Sequence, residues 1–315
     1  MGIFVIRRLV ELVPTLILVS ILTFTLVRLV PGDPIDVMYG LEGADKETRA
    51  AMEKTLGLDQ PVVLQYVLWA GRMVSGDLGF SYRARVPVAT LIGQRLPNTL
   101  MLVFASLVIA VMIAIPLGVL AAIRRNTLYD FGAMATALVT LSVPPFASGI
   151  ALVLVFGLML GWLPTMGAAP PGSGVMGTLR HMTLPAVTLA MGLLGVTMRL
   201  ARSTVLEELG LDYVRTARAK GLAERWVIYR HVLRNSLLTV VTFVGLQASY
   251  LVGGAVVIEV VFAWPGVGSL VIDAILARDY PVVQAVILLV AVLVMVVSTI
   301  VDLTYPLIDP RVQLT

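Results

Sequence analysis

The chain has 315 residues, of which 58% are hydrophobic and 13% charged, with a mean hydropathy of +0.95 and a formal net charge of +4. This composition excludes an ordinary soluble domain, whose surface needs far more charge, and it predicts a protein solvated by a bilayer. The positive charge does not indicate nucleic-acid binding, because the basic residues lie mostly at the ends of apolar runs, as membrane orientation requires. Cysteine is absent, so neither a disulfide framework nor a thiolate metal site is predicted.

Six apolar runs are candidates for membrane crossings, each of which takes about 20 residues as an α-helix. They are residues 9–27, 96–123, 131–163, 182–198, 235–258 and 280–301. The third run would be about 50 Å long at 1.5 Å per residue, well beyond a hydrocarbon core of roughly 30 Å. Since it contains Pro144 and Pro145, it fits either one kinked helix or a hairpin.

The distribution of arginine decides between these alternatives. Cytoplasmic loops carry an excess of Lys and Arg, and the basic clusters share one side only if residues 131–163 cross once. Those clusters are Arg7 with Arg8, Arg124 with Arg125, Arg199 with Arg202, and the charged loop 212–239. We therefore predict an all-α membrane protein with six transmembrane helices and both termini in the cytoplasm. The first run is retained as a crossing, because it is long for a signal peptide and no A-x-A cleavage site follows it.

Residues 31–95 form a long outer segment between the first two crossings. Helical spacing of apolar residues at 46–57 and 62–74, followed by a turn-rich loop at 75–83, predicts a small helical cap on the outer face. A loosely structured loop is the alternative at this point.

A second outer feature precedes the last crossing. Pro265, Gly266 and Gly268 are expected to end the helix that arrives from residue 235, and a short apolar helix follows them. This helix is too short to span, so we predict that it lies across the outer mouth and that the three residues form an outer gate.

The charged loop reads DYVRTARAKGLAERWVIYRHVLRNSLLT, residues 212–239. Its spacing predicts one helix over residues 206–220 and another over 224–238. Gly221 provides the joint, because glycine tolerates the left-handed conformation that a sharp turn needs.

The residues just before that joint favour contact with another protein. Thr216, Ala217 and Ala219 are short enough for close approach, and basic side chains beside them suit acidic groups or anionic lipid. These basic residues are Arg215, Arg218 and Lys220. From composition alone, an ordinary basic inner loop is the alternative.

The loop resembles the EAA loop of permease subunits of bacterial ABC importers, in the dipeptide, oligopeptide, glutathione and nickel branch. The similarity lies in DYVRTARAKG followed by RHVLRNSLL. It extends along nearly the whole chain, in RRLVELVPTL, LVPGDP, LGLDQPVVLQY, GDLGFS, GWLPTMG, VFAWPGVGSL, ARDYPVVQ and the terminal DPR.

This resemblance implies a type I ABC importer permease fold, in a bacterial inner membrane, with the EAA loop as a coupling helix that inserts into an ATP-binding subunit. Ala217 matches the second alanine of the motif and Gly221 its glycine, and contact roles extend to Arg215, Thr216, Arg218 and Lys220. Two positions depart from the family pattern. Arg215 stands in place of glutamate, which leaves the local charge pairing open, and Thr239 stands where relatives usually have proline.

The chain lacks its own energy source. A Walker A loop needs a lysine after glycine, whereas the only lysines, Lys46, Lys54 and Lys220, follow other residues. Glu11, Glu259 and Asp302 lie near span ends and do not form the intramembrane pairs of a proton relay. Neither a catalytic residue nor a metal site is predicted, and the chain is not expected to be an enzyme.

The resemblance also implies partners: a homologous second permease subunit, two ATP-binding subunits that hold ATP and Mg²⁺, an extracytoplasmic substrate-binding protein, and membrane lipid. Helix tilting would accompany transport, and Pro116, Pro144 and Pro145 are predicted flex points, with static kinking as the equal alternative. Peptides are the expected cargo; glutathione, nickel or an oligosaccharide are alternatives. A secondary transporter is the alternative from another class.

The expected organisation has four parts. Residues 1–30 form the first transmembrane helix and 31–95 the extracytoplasmic cap. Residues 96–305 form a five-helix transmembrane core, with a cytoplasmic coupling loop at 205–235, and 306–315 form a cytoplasmic tail.

Overall fold

The computed structural model describes residues 2–29, 47 and 59–308, and this part of the chain is helical apart from loops and one isolated antiparallel bridge between Phe80 and Pro87. The helices are α1 (Gly2–Leu29), α2 (Val62–Val74), α3 (Val88–Ile123), α4 (Leu128–Ser142), α5 (Pro145–Met159), α6 (Gly174–Leu209), α7 (Asp212–Ala219), α8 (Glu224–Val261), α9 (Val267–Leu276) and α10 (Tyr280–Ile308). Two stretches are π-helical, Val153–Met159 at the end of α5 and Val227–Val232 near the start of α8.

Within the described residues, five helices are long and apolar enough to cross a membrane: α1, α3, α6, α8 and α10. The helices α4 and α5 make a sixth span if they are counted together, but they are bent by 108° at their junction. The predicted crossing over residues 131–163 therefore consists of two helices with a sharp break between them, not of one smoothly kinked helix. Pro144 and Pro145 remove two consecutive amide donors, and Val143 and Pro144 adopt extended ψ angles of 124° and 139°, so the helix breaks here.

The chain divides into two compact units, of which the first comprises Met1–Thr99 and Pro265–Met295. Its core joins the start of α3 to α9 and the first half of α10, through buried residues such as Val88, Val271 and Val286. The predicted helix at 62–74 is confirmed as α2. The predicted helix at 46–57 lies outside the described residues except for Glu47, which is helical.

Helix α2 packs on α1 through an aromatic cluster in this unit. The ring centroid of Phe24 lies 5.4 Å from that of Tyr66, edge to face, and 5.5 Å from that of Trp69. The hydroxyl oxygens of Ser20 and Tyr66 are 2.8 Å apart, and the guanidinium of Arg28 lies 4.4 Å from the centroid of Phe24. Such edge and cation contacts add to the area that the rings bury.

The loop between α2 and α3 is held by one buried carboxylate. Asp279, which is 3% exposed, accepts hydrogen bonds from the hydroxyl of Ser81 and from the backbone N–H groups of Tyr82, at 3.1 Å, and Arg83, at 3.3 Å. Burial, followed by the charge of Asp279, raises the pKa of Tyr82 to about 12. The loop is therefore ordered by a residue nearly 200 positions away in sequence.

The second unit comprises Leu100–Trp264 and Val296–Thr315, and α6 is its central helix. Helix α6 packs against α4, α5 and α8, and 67% of its most apolar 18-residue stretch is buried. Glycine permits two close approaches here. A Cβ at Gly195 would lie 2.7 Å from the carbonyl oxygen of Ala137, and a Cβ at Gly118 only 2.5 Å from that of Met198. Small residues at such crossings are what helix packing in lipid requires.

The start of α4 is tied to α6 by an ion pair. Arg202 donates from Nε to Oδ1 of Asp130 at 2.5 Å and from Nη2 to Oδ2 at 2.8 Å. The Asp130 carboxylate also accepts from the backbone N–H of Asn126, which has a left-handed φ of 60°. This pair fixes the turn between α3 and α4 against α6.

Candidate functional site

The charged loop forms a short helix, α7, set off from its neighbours by two turns. Its N-terminal boundary corrects the predicted helix over 206–220. Residues up to Leu209 belong to α6, and the chain then turns at Gly210 and Leu211, where ψ is 151°. The predicted helix over 224–238 and the fifth crossing are in fact one helix, α8, which runs on without a break to Val261.

The C-terminal end of α7 is a Schellman motif. Gly221 has φ +78°, so the predicted left-handed joint is confirmed. The N–H of Gly221 donates to the carbonyl of Arg218 at 2.9 Å, and the N–H of Leu222 donates to that of Ala217 at 3.4 Å. These two bonds are the pair that defines the motif, and they stop the helix where the chain reverses toward α8.

One face of α7 is buried in the protein's own interior. Val214 is fully buried and Ala217 is 6% exposed. They pack in a cluster with Ala122 of α3, Val205 of α6, and Val227 and Val232 of α8. Ala217 therefore seats α7 on the neighbouring helices, and its contact with a partner stays a prediction.

Tyr213 links α7 to the helices on both sides. Its hydroxyl lies within hydrogen-bond reach of the Glu208 carboxylate on α6 and of the carbonyl of His231 on α8, at 3.2 Å for the latter. The amide of Asn235 donates to the same oxygen at 3.1 Å. Burial, followed by the hydrogen bond to Glu208, raises the pKa of Tyr213, which keeps the phenol neutral. The helix is thus held in a fixed orientation.

The outward face of α7 carries the remaining predicted contact residues, Arg215, Thr216, Arg218 and Lys220, all of which are exposed. Arg215 pairs with Asp212 at 3.2 Å, one turn away. Arg218 binds both carboxylate oxygens of Glu224, at 3.1 and 2.7 Å, so this pair spans the Gly221 turn. That hydrogen bonding raises the pKa of Arg218. Two of the three expected cations are thus partly neutralised within the chain.

Apolar side chains beside this face were not predicted as part of the site. Leu222, Trp226 and Tyr229 are 43%, 54% and 72% exposed. Aromatic residues in a charged stretch were the sequence signal for them, since aromatic side chains are enriched where two proteins meet. The candidate surface therefore combines the polar face of α7 with an apolar rim at the start of α8.

The predicted outer gate residues lie where the chain passes from α8 into α9. Helix α8 ends before them, at Val261, and Ala263 takes the left-handed φ of 48° that turns the chain. The carbonyl of Pro265 accepts from Asn98 at 2.8 Å, and Gly266 caps α9. Gly268 is buried within the first turn of α9. The gating role itself stays a prediction.

The predicted flex points have two different settings. Pro116 lies inside α3, on an exposed face, with the helix continuous on both sides. Pro144 and Pro145 lie at the break between α4 and α5. Among the described residues, no three His, Asp or Glu side chains are close enough to hold a metal ion.

These features define a multi-pass membrane protein that presents a rigid, short helix outside its membrane-spanning helices. Residues 114–314 match the family described as binding-protein-dependent transport system inner membrane component, and residues 1–103 match the N-terminal domain of the same transport components. The chain belongs to this family and is a permease subunit of an ABC importer in the inner membrane.

Two relatives match over nearly their full length. The chain is 40% identical to the oligopeptide transport system permease protein AppB of Bacillus subtilis, over 99% of this chain and 100% of the relative. It is 42% identical to the glutathione transport system permease protein GsiC of Escherichia coli, over 98% of each.

Solved structures confirm the type I permease fold. An inward-facing conformation of the MetNI methionine ABC transporter matches with a TM-score of 0.58 and 18% identity, over 70% of this chain and 96% of that chain. An amino acid ABC transporter solved with histidines matches with a TM-score of 0.54 and 14% identity, over 69% and 94%.

Proposed function

We propose that this chain forms one half of a peptide import pathway and is coupled to a cytoplasmic ATP-binding subunit through α7. The observation that carries the coupling role is the way α7 is mounted. Val214 and Ala217 seat it in the core, and Tyr213 ties it to α6 and α8. A partner that moves α7 would therefore move two membrane-spanning helices with it.

The need for an energy source outside this chain supports the same assignment. The chain has no lysine in a position to form a phosphate-binding loop, so ATP and Mg²⁺ belong to partner subunits. The proposed assembly contains a homologous second permease, two ATP-binding subunits and an extracytoplasmic binding protein that delivers cargo to the outer cap at residues 31–95.

Peptides are the proposed cargo, because the two relatives described above are named for oligopeptide and for glutathione, itself a small peptide. Glutathione is the second candidate on the same ground. Pro265, Gly266 and Gly268 are proposed to gate the outer end, and Pro116, Pro144 and Pro145 to provide bending points during transport.

The coupling role is tested at Gly221. Valine is strongly disfavoured at a positive φ, so Gly221→Val is expected to distort the turn after α7 and to reduce copurification of the ATP-binding subunits and peptide uptake together. Gly172→Val is the matched control, since Gly172 also has a positive φ, +86°, with no atom within 4 Å of an added Cβ. Equal copurification and uptake in both variants would refute the coupling role.

The cargo is tested with the intact complex in proteoliposomes. Uptake of a radiolabelled tripeptide is measured in the presence of unlabelled oligopeptides, glutathione or Ni²⁺. We expect the uptake to depend on ATP and to be reduced by the peptide competitors. Uptake of Ni²⁺ or of an oligosaccharide alone would replace the peptide assignment. Uptake on an ion gradient without ATP would indicate a secondary transporter.

A further inference from the structure

A groove in the second unit lies where the helix break between α4 and α5 meets α6 and α8. Its volume is about 410 Å³, and Pro144, Pro145, Gly192, Gln247 and Tyr250 are among the residues that line it. None of the described residues that line it is charged. Nothing in the coupling role of α7 accounts for this groove.

The two polar side chains lie deep in an apolar span. Gln247 and Tyr250 fall near the middle of the apolar run 235–258 of α8. Tyr250 is 75% exposed, and Gln247, which is half-buried, forms no hydrogen bond to any residue that the structure describes. Polar groups at this depth are costly in lipid and face the protein interior or a water-filled cavity.

The backbone at the same groove carries a second, independent signal. In a continuous helix the carbonyls of Thr140 and Leu141 would accept from the amides of residues 144 and 145. Both of those residues are proline and have no N–H. Irregular backbone at membrane depth is tolerated where it is buried in protein or lines water. Since Pro144 and Pro145 are exposed on the groove, water is the solvent that fits.

We propose that this groove is a hydrated cargo site in the translocation path, where Gln247 and Tyr250 hydrogen-bond the backbone amide groups of the peptide. This inference rests on the proposed peptide cargo. A side-chain amide both donates and accepts, as does a phenol, and each peptide unit offers one N–H and one carbonyl. Because the lining is uncharged, the site contacts the repeating backbone and does not select charged side chains. Such a site suits peptides of different sequence.

Hydration of the groove is tested by cysteine labelling, for which the cysteine-free chain needs no prior substitution. Gln247→Cys and Tyr250→Cys are placed in the full complex in proteoliposomes and treated with a membrane-impermeant, positively charged methanethiosulfonate reagent. Thiols react as thiolates, which form in water, so we expect labelling about tenfold faster than at the control Leu246→Cys. Leu246 is adjacent and 50% exposed but does not line the groove.

Passage of cargo through the groove is tested by filling it. An added Cβ at Gly192 would meet only Pro145 Cγ at 4.0 Å, so Gly192→Met extends into open space without distorting α6. Gly253→Met is the matched control, because Gly253 is exposed on α8, lies outside the groove and has no atom within 4 Å. We expect peptide uptake to fall about tenfold in Gly192→Met alone, with ATP-binding subunits still copurifying in both variants.

The outcomes separate this inference from the proposed function. Labelling of Gln247→Cys no faster than of Leu246→Cys, or equal uptake by the two methionine variants, overturns the cargo site. If residue 247 is shielded and crosslinks to the second permease, the groove is a subunit interface and the inference fails. Absence of peptide uptake by the unmodified complex overturns the proposed function, whereas the labelling result is obtained without cargo.

Discussion

Arg202 of α6 and Asp130 of α4 form a two-point ion pair across 72 positions of sequence, with Nε–Oδ1 and Nη2–Oδ2 distances of 2.5 and 2.8 Å. The Asp130 side chain is 4% exposed and that of Arg202 24%. A carboxylate in such a setting depends on its partner, because removal of the cation leaves a buried charge without the ion pair that stabilises it.

Replacement of this arginine should destabilise the protein strongly. We expect Arg202→Met to cost about 3 kcal/mol, seen as a lower thermal unfolding midpoint in detergent, whereas the double variant Asp130→Leu with Arg202→Met should recover part of the loss. Arg199→Met, at an exposed position of the same helix, is the control. A midpoint for Arg202→Met that equals the control's would mean that the pair contributes nothing.

Tyr213→Phe should weaken the mounting of α7 without unfolding the membrane-spanning part. The change removes the hydroxyl that contacts Glu208 and Asn235, at a cost of about 1 kcal/mol. We expect a severalfold lower rate of ATP-driven uptake per copurified ATP-binding subunit. Tyr129→Phe, at a side chain of α4 that is 58% exposed and outside the candidate surface, should leave the rate unchanged. The same loss in both variants would remove any special role for Tyr213.

Charge reversal of the Arg218 and Glu224 pair distinguishes a structural role of Arg218 from its recognition by a partner. Both side chains are largely exposed, so their interaction contributes no more than about 1 kcal/mol to folding. Arg218→Glu combined with Glu224→Arg restores the internal pair with reversed polarity. If the ATP-binding subunit recognises the charge of Arg218, copurification should stay low in the double variant. Full recovery would show that only the internal pair matters.

Asp279→Ala should open the loop between α2 and α3, which the Asp279 carboxylate holds from just before the start of α10. Loss of the carboxylate leaves the donors of Ser81, Tyr82 and Arg83 without their acceptor. We expect the closed loop to be destabilised by about 2 kcal/mol, which corresponds to a roughly thirtyfold higher population of the open loop. Trypsin should then cleave faster after Arg83 and Arg85, both exposed. Asp273→Ala, exposed on α9, should cleave at the original rate, and equal rates in the two variants would contradict the prediction.

Much of the helical framework could be predicted from hydropathy, because each crossing must satisfy its backbone within one continuous apolar segment. The second helix of the cap was predicted with its observed bounds, 62–74. The helix over 206–220 was wrong because helical spacing continues through Gly210, while the backbone turns there. The helical spacing of apolar residues shows which side of a segment is apolar. It does not reveal a turn in the backbone when the apolar residues on both sides of the turn keep that spacing.

Pairings between distant residues were beyond the sequence. Nothing local in the chain shows that Asp130 meets Arg202 or that Asp279 meets Ser81, since each contact depends on how separate helices pack. The orientation of Ala217 was missed for the same reason. Its small size suits contact with a partner and close packing in the core equally well, and only the tertiary structure shows that it packs in the core.

The π-helical stretch at Val227–Val232 explains how α8 places two side chains in the buried cluster beneath α7. Val227 and Val232 are both fully buried in the same cluster, although five residues in an α-helix point about 140° apart. The wider π turn brings residues i and i+5 onto one side. Removal of one exposed residue between them, such as Tyr229, would leave the valines four apart, a spacing that an α-helix also places on one face. At this point α8 therefore contains one residue more than an α-helix needs between the two buried valines. The helix could lose that residue while the segments on either side keep the same faces buried.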